Sequence, residues 1–184
     1  MTWNAKPAAP AVAGKVMIAV ADHREVKKGG DDPRVVGQER NGWGIPFAIR
    51  LPTPTEYAES VRDLFGQAAL TAGIGVAPAG DMTGTARVQI EVSSGWCDGY
   101  FPVYKAGLAG TVAVMGPDGA PRMPPMAISV DDGAGDCHSA YRKMLTKLYD
   151  TAVGMMSSPQ FKDAAAGGAG GAPPPPPAAP PASN

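Results

Sequence analysis

The sequence has no run of about 18 apolar residues, so no segment reads as a membrane-spanning helix. No charge of one sign dominates: 16 Lys and Arg stand against 17 Asp and Glu, for a net charge of -1. No basic stripe or cluster stands out, and Lys27-Lys28 is only a dipeptide. Sequence-independent nucleic-acid binding needs several phosphate-neutralising cations on one face, so no nucleic-acid partner is expected. Histidine is nearly missing, with only His23 and His138. No zinc-type Cys/His spacing and no calcium-loop pattern occurs, so no metal is expected, and the acids near Asp22, Asp31-Asp32 and Asp131-Asp132 read as solvated loop residues. There is no P-loop, no GxGxxG and no GxSxG, so no cofactor is implied and no catalytic residue is assigned. Aromatic and charged side chains are absent beyond Ala164. Such a stretch cannot bury enough surface to offset the entropy of ordering it.

What remains is enough for one core. The 184-residue length fits a single domain. The expected organisation is a flexible arm over residues 1–13, one domain over 14–162 and a disordered Pro/Ala/Gly-rich tail over 163–184. The run Pro173 to Pro177 favours polyproline II, the geometry of a stiff spacer. No charged segment followed by an apolar one opens the chain. That fits a cytosolic protein, or an exported one met without its signal.

Lys15 to Ala21 is apolar on both faces, as in a buried central strand. Val35-Val36-Gly37 follows, then the turn signal Asn41-Gly42-Trp43-Gly44. Thr53-Pro54-Thr55-Glu56 reads as a capping box opening a helix over Pro54 to Ala72, with Tyr57, Val61, Leu64, Phe65 and Ala68 on one face and Gly73 as its stop. Ile74 to Ala77 reads as a short strand. In Ala86 to Ser93, Val88, Ile90 and Val92 alternate with Arg87, Gln89 and Glu91, which predicts a strand covered on one side and a break at Gly95 to Gly99. Phe101 to Met115 continues as a strand, Pro117-Asp118-Gly119 turns it, and Met126 to Val130 returns. Pro121, Pro124 and Pro125 ahead of that return place it at an edge. A second helix is expected from an Asp136 N-cap to about Ser158, with Pro159 ending the pattern. The predicted fold is α+β: a mainly antiparallel sheet with two amphipathic helices packed on one face.

Two cysteines, Cys97 at the end of a strand and Cys137 at the start of a helix, are placed for one disulfide in an oxidising compartment. The alternative is a pair of reduced, partly buried thiols. Cys137-His138 at a helix N-terminus has the composition of an activated thiol, but neighbours on a helix diverge by about 100°, so His138 is a poor base for it. Gly133-Ala134-Gly135-Asp136 resembles an anion-binding nest, yet the Asp136 cap would repel the anion. The segment from Asn41 and Gly42 through Trp43 to Phe47, joined by Trp96, is the candidate partner contact, because an aromatic on a glycine-rich loop is an anchor of low entropy cost. Against it stands the high average burial of large aromatics, which would fold Trp43 and Phe47 over an end of the core.

The strand ending in Asp22-His23-Arg24, then Val36-Gly37, Asn41-Gly42-Trp43-Gly44, the helix closing at Ala72-Gly73, the strand Val88 to Val92 and the helix after Asp136 together resemble the YajG-like bacterial lipoproteins. The resemblance implies a small non-catalytic domain in the periplasm or at the outer membrane, tethered through a lipidated N-terminal cysteine. This chain shows no such cysteine, and its tail and cysteine pair are not family features. The expected partner is another envelope protein, or a second copy pairing through the edge strand near Met126. The alternative function is a small-ligand or glycan-binding domain that uses the Trp43 loop.

Overall fold

The computed structural model describes residues 15–24, 32–40, 43–51, 56–78, 86–100 and 102–167. The expected N-terminal arm, the Asn41-Gly42 pair, Lys27-Lys28, the Thr53-Pro54-Thr55 cap, Phe101 and the Pro173 to Pro177 run lie outside them.

Five strands form the main sheet: β1 (Lys15–Asp22), β4 (Gly75–Val76), β5 (Ala86–Tyr100), β6 (Val103–Met115) and β7 (Met126–Ala134), in the order β4-β1-β5-β6-β7. β5, β6 and β7 make an antiparallel meander, whereas β1 is parallel to both β4 and β5. The sheet is therefore mixed, which corrects the expected mainly antiparallel one. The cause lies in the order of elements. Helix α1 (Tyr57–Thr71) follows β1, and a helical crossover returns the chain to the starting end, so the next strands run parallel to β1. β7 lies at the edge, as the prolines ahead of it imply. From α2 (Cys137–Ser157), Lys143 and Lys147 donate to the carbonyls of Gly133 and Asp131 at 3.3 and 3.0 Å. Those lysines blunt part of this edge against pairing with another chain.

A second sheet, not expected from the sequence, is the hairpin of β2 (Val35–Arg40) and β3 (Pro46–Arg50). β5 also runs through Gly95 to Gly99, where the sequence suggests a break. A register shift between Val92 and Ser94 absorbs the irregularity, and pairing with β6 resumes as far as Tyr100 opposite Val103.

The helices stack over one another and over the sheet: α1 on β1 and α2, α2 on β5, β6 and β7. Val88, Ile90, Val92, Leu108, Val112 and Val114 supply the strand side of the core; Phe65, Met144 and Leu148 are among the helical residues facing them. Glu56 is the N-cap of α1, and its backbone N donates to Glu59 Oε2 at 3.4 Å. Gly73 ends α1 at a φ of 81°, which only glycine adopts freely. Asp136 caps α2 as expected, accepting from Ser139 N at 2.8 Å.

Pro159 stops α2 but opens a third helix, α3 (Pro159–Ala166), with Ser158 as N-cap and proline at its first turn. Phe161, Ala164 and Ala165 are buried, and Arg122 donates to Ala164 O at 3.1 Å. Helix α3 thus extends past 163, the expected start of the tail.

Candidate functional site

The ladder between β1 and β5 ends at Asp22 opposite Val92, with one more bond from His23 N to Val92 O at 2.9 Å. Beyond that point β2 takes the place of β1 beside β5 without joining its ladder. Gly37 makes this approach possible. A Cβ at Gly37 would lie 2.5 Å from Cys97 N and 2.8 Å from Cys97 Cβ, so only a glycine lets the two strands meet here. On its far side Cys97 is bonded to Cys137, the first residue of α2. The Cα atoms are 6.1 Å apart, an ordinary spacing for a bridge. The disulfide thus ties β5 to the start of α2 directly beneath the point where β2 crosses.

The crossing leaves a surface cleft of about 570 Å³, lined by His23 and Arg24, by β2 from Val35 to Gln38, and by β5 from Ser93 to Asp98. Arg24 forms one wall and is tied in on all sides. Its side chain is only 2% exposed, and Nε and Nη2 each donate to Asp22 at 2.7 Å. Nη1 donates to Val35 O at 3.0 Å, and the guanidinium lies 3.4 Å from the centre of the Tyr57 ring. Arg24 therefore spends its charge inside the fold. His23 Nε2 and Glu91 Oε2 pair at 2.6 Å, and Asp98 accepts from Gly99 N at 2.8 Å.

Behind the cleft, the hydroxyls of Tyr57 and Tyr141 are buried with no hydrogen-bond partner among the described residues, as is Gln38 Oε1 in the cleft wall. Burial pushes both phenols above their ordinary pKa, so they stay protonated. Gly95 closes over Tyr57, and a Cβ there would meet Tyr57 Oη at 2.6 Å.

Trp96 points away from the core and is 41% exposed. Its indole lies flat on Gly107 of β6: a Cβ at that glycine would be 2.9 to 3.0 Å from Cε2, Cζ2 and Nε1. The missing side chain of Gly107 seats the ring.

The other aromatic candidates sit on the hairpin and do not line the cleft. Trp43 is 90% exposed, Ile45 60% and Phe47 49%. Neither Trp43 nor Phe47 is buried over an end of the core. The base of the hairpin is pinned by Asp32, which accepts from Arg34 at 2.9 Å and Arg50 at 3.0 Å. The two guanidinium groups, Arg34 first, hold its carboxyl well below the usual carboxylate range. Trp43 and Trp96 are legible in the sequence. The cleft is not, because it depends on β2 crossing β5 at Gly37. No cluster of three or more His, Cys, Asp or Glu groups able to hold a metal occurs among the described residues.

No protein-family model matches the sequence, and no curated protein matches it. Among solved structures the chain is similar to protein XCC0632 from Xanthomonas campestris, described as family-model DUF330. The TM-score is 0.56 at 16% identity, covering 83% of this chain and 88% of that one. It is more distantly similar to a PelC dodecamer from Paraburkholderia phytofirmans, with a TM-score of 0.45, 12% identity and coverage of 83% and 93%. Lipoprotein GNA1162 from Neisseria meningitidis gives 0.43, 10% identity and 78% and 98% coverage. The Xanthomonas protein shares the fold; at this identity no residue role is carried across.

Proposed function

We propose that this chain is a non-catalytic binding or assembly module of the bacterial cell envelope, of the YajG-like lipoprotein kind, in the periplasm or at the outer membrane. It meets another envelope protein through the β2–β3 hairpin. The observation that carries this reading is the outward display of Trp43, Ile45 and Phe47 on a hairpin whose base is fixed by the Asp32, Arg34 and Arg50 pairs. Large apolar side chains held rigidly in water cost little entropy when a partner covers them. The Cys97–Cys137 bridge favours an oxidising compartment, and the fold is shared with a bacterial protein. A bridged Cys137 has no thiolate, which weighs against thiol chemistry at that helix start.

The test is a photo-crosslinking residue at position 45 of the exported protein in its native host. A discrete adduct with one envelope protein is expected, and Trp43→Ala should abolish it while leaving the thermal midpoint in place. Adducts with cytosolic proteins, or an adduct indifferent to Trp43, would count against the reading.

A further inference from the structure

The main sheet has two edges, and they are not alike. At the β7 edge Lys143 and Lys147 cover the carbonyls of Gly133 and Asp131. At the other edge β4 pairs only with Lys15 and Val16, and its last bond runs from Ala77 N to Val16 O at 2.9 Å. The backbone groups of successive residues point to opposite sides of a strand. Val16 bonds toward β4, and His23 bonds the other way, to Val92 O of β5. The N–H and C=O groups of Ile18, Val20 and Asp22 thus point away from β5, and they have no partner among the described residues.

This stretch carries nothing that would deter a further strand. From Val16 to Ala21 it has no charge, no proline and no bulge, and the Asp22 carboxylate is spent on Arg24. Charges, prolines and bulges are what protect an edge, and a strand without them is a pairing site. The run Pro173 to Pro177 lacks the N–H donors to fill it. Length and charge pick a second copy. The open edge runs from the last bond of β4 to His23, and β1 of another copy presents the same uncharged stretch over the same length. Set antiparallel on a twofold axis at Val20, Ile18 stands opposite the partner's Asp22 and Val20 opposite the partner's Val20. Each such pair exchanges two hydrogen bonds, so no open group is left over. Val20, half-buried at the margin of the core, is covered by its counterpart. On the outer face Ala19 stands opposite the partner's Ala21, and both are small enough for that close approach. The two Asp22 carboxylates fall at opposite ends of the ladder.

We infer that two copies of this chain pair through β1, antiparallel about Val20, into one continuous sheet. The inference does not depend on the hairpin reading, which concerns a different surface.

The experiment is sedimentation equilibrium of the full oxidised chain from about 5 μM to about 1 mM. A strand pair is a small interface, so a Kd of about 100 μM is expected, with the mass rising toward twice the monomer and no further. Over the same range the amides of Ile18, Val20 and Asp22 should exchange several-fold more slowly. Two double variants test the register. Both carry Ala21→Lys, which faces Glu91 across the β1–β5 ladder and is tolerated there. With Ala19→Lys like charges meet in both outer pairs, and the dimer should weaken by at least about tenfold; with Ala19→Glu opposite charges meet, and it should persist. A thermal midpoint for each variant separates lost pairing from lost fold. A monomer mass at every concentration overturns the proposal, as does a mass growing past the dimer, which a closed twofold pair does not allow. A dimer indifferent to the charge at position 19 but lost in Trp43→Ala also overturns it, and places the contact on the hairpin. If a double variant fails to fold, exchange in the unsubstituted chain decides: unchanged rates at those three amides overturn the pairing.

Discussion

Gly37 lies directly on the peptide of Cys97, so that a Cβ added to it would stand 2.8 Å from Cys97 Cβ and would overlap the Cys97 carbonyl oxygen. Backbone cannot yield as a flexible side-chain end can. Gly37→Ala should therefore cost about 1–3 kcal/mol, the usual range for overpacking. It should also move β2 off β5 and widen the cleft. Gly66 is the internal control. It sits in α1, and a methyl group added there would meet no atom of a neighbouring element within 4 Å, so Gly66→Ala should stabilise by about 0.5–1 kcal/mol. Chemical denaturation of the two variants checks the opposite signs, and equal effects would mean that the crossing is looser than it stands.

The Cys97–Cys137 bridge spans a sequence separation of 40. By the loop-entropy relation it should contribute about 4 kcal/mol, through restriction of the unfolded chain. Both cysteines are buried, so the bridge should resist reductant until the protein opens. Denaturation with and without dithiothreitol measures the loss. Intact mass after alkylation without reductant should show no adduct, and two adducts would mean that the thiols are free in solution. Because Cys97 lies under Gly37, reduction should also loosen the hairpin more than α3, which hydrogen exchange resolves segment by segment.

The parts of the fold that local chemistry specifies are legible in the sequence. The Asp136 cap, the Gly73 stop, the alternation at Val88, Ile90 and Val92, and the edge position of β7 each follow from a few neighbouring residues. Parallel pairing of β1 with β5 is not legible in this way, because it links Val16 to Ala86 across the whole length of α1. The β2–β3 hairpin reads only as a turn, since its return strand Pro46–Arg50 is short and opens on a proline. Pro159 reads as an end, and it is one for α2. With Ser158 ahead of it and Phe161 two residues on, it is also the start signal of α3. At the site, Trp43 and Trp96 stand out by residue type alone. Gln38 in the cleft wall and the platform glycine Gly107 have no local signature, because their placement exists only where three strands come together.

Tyr57 and Tyr141 predict the alkaline limit of the protein. Burial raises both phenols above the ordinary tyrosine value of about 10, and neither hydroxyl has a partner among the described residues. Above about pH 10 the unfolded chain releases these protons and the folded one keeps them. Their contribution to stability is thus complete below about pH 10 and is lost as pH rises further. Tyrosinate absorbance for these two residues should consequently appear together with unfolding rather than ahead of it. Tyr57→Phe keeps the ring under Arg24 and removes an unsatisfied oxygen, so at neutral pH it should leave stability unchanged or raise it by about 1 kcal/mol. It should also shift the alkaline transition upward. A stability loss in Tyr57→Phe would show that water holds the Tyr57 hydroxyl behind Gly95. A buried phenol titrating at about pH 10 in the folded protein would show that the cluster under the cleft is open to solvent.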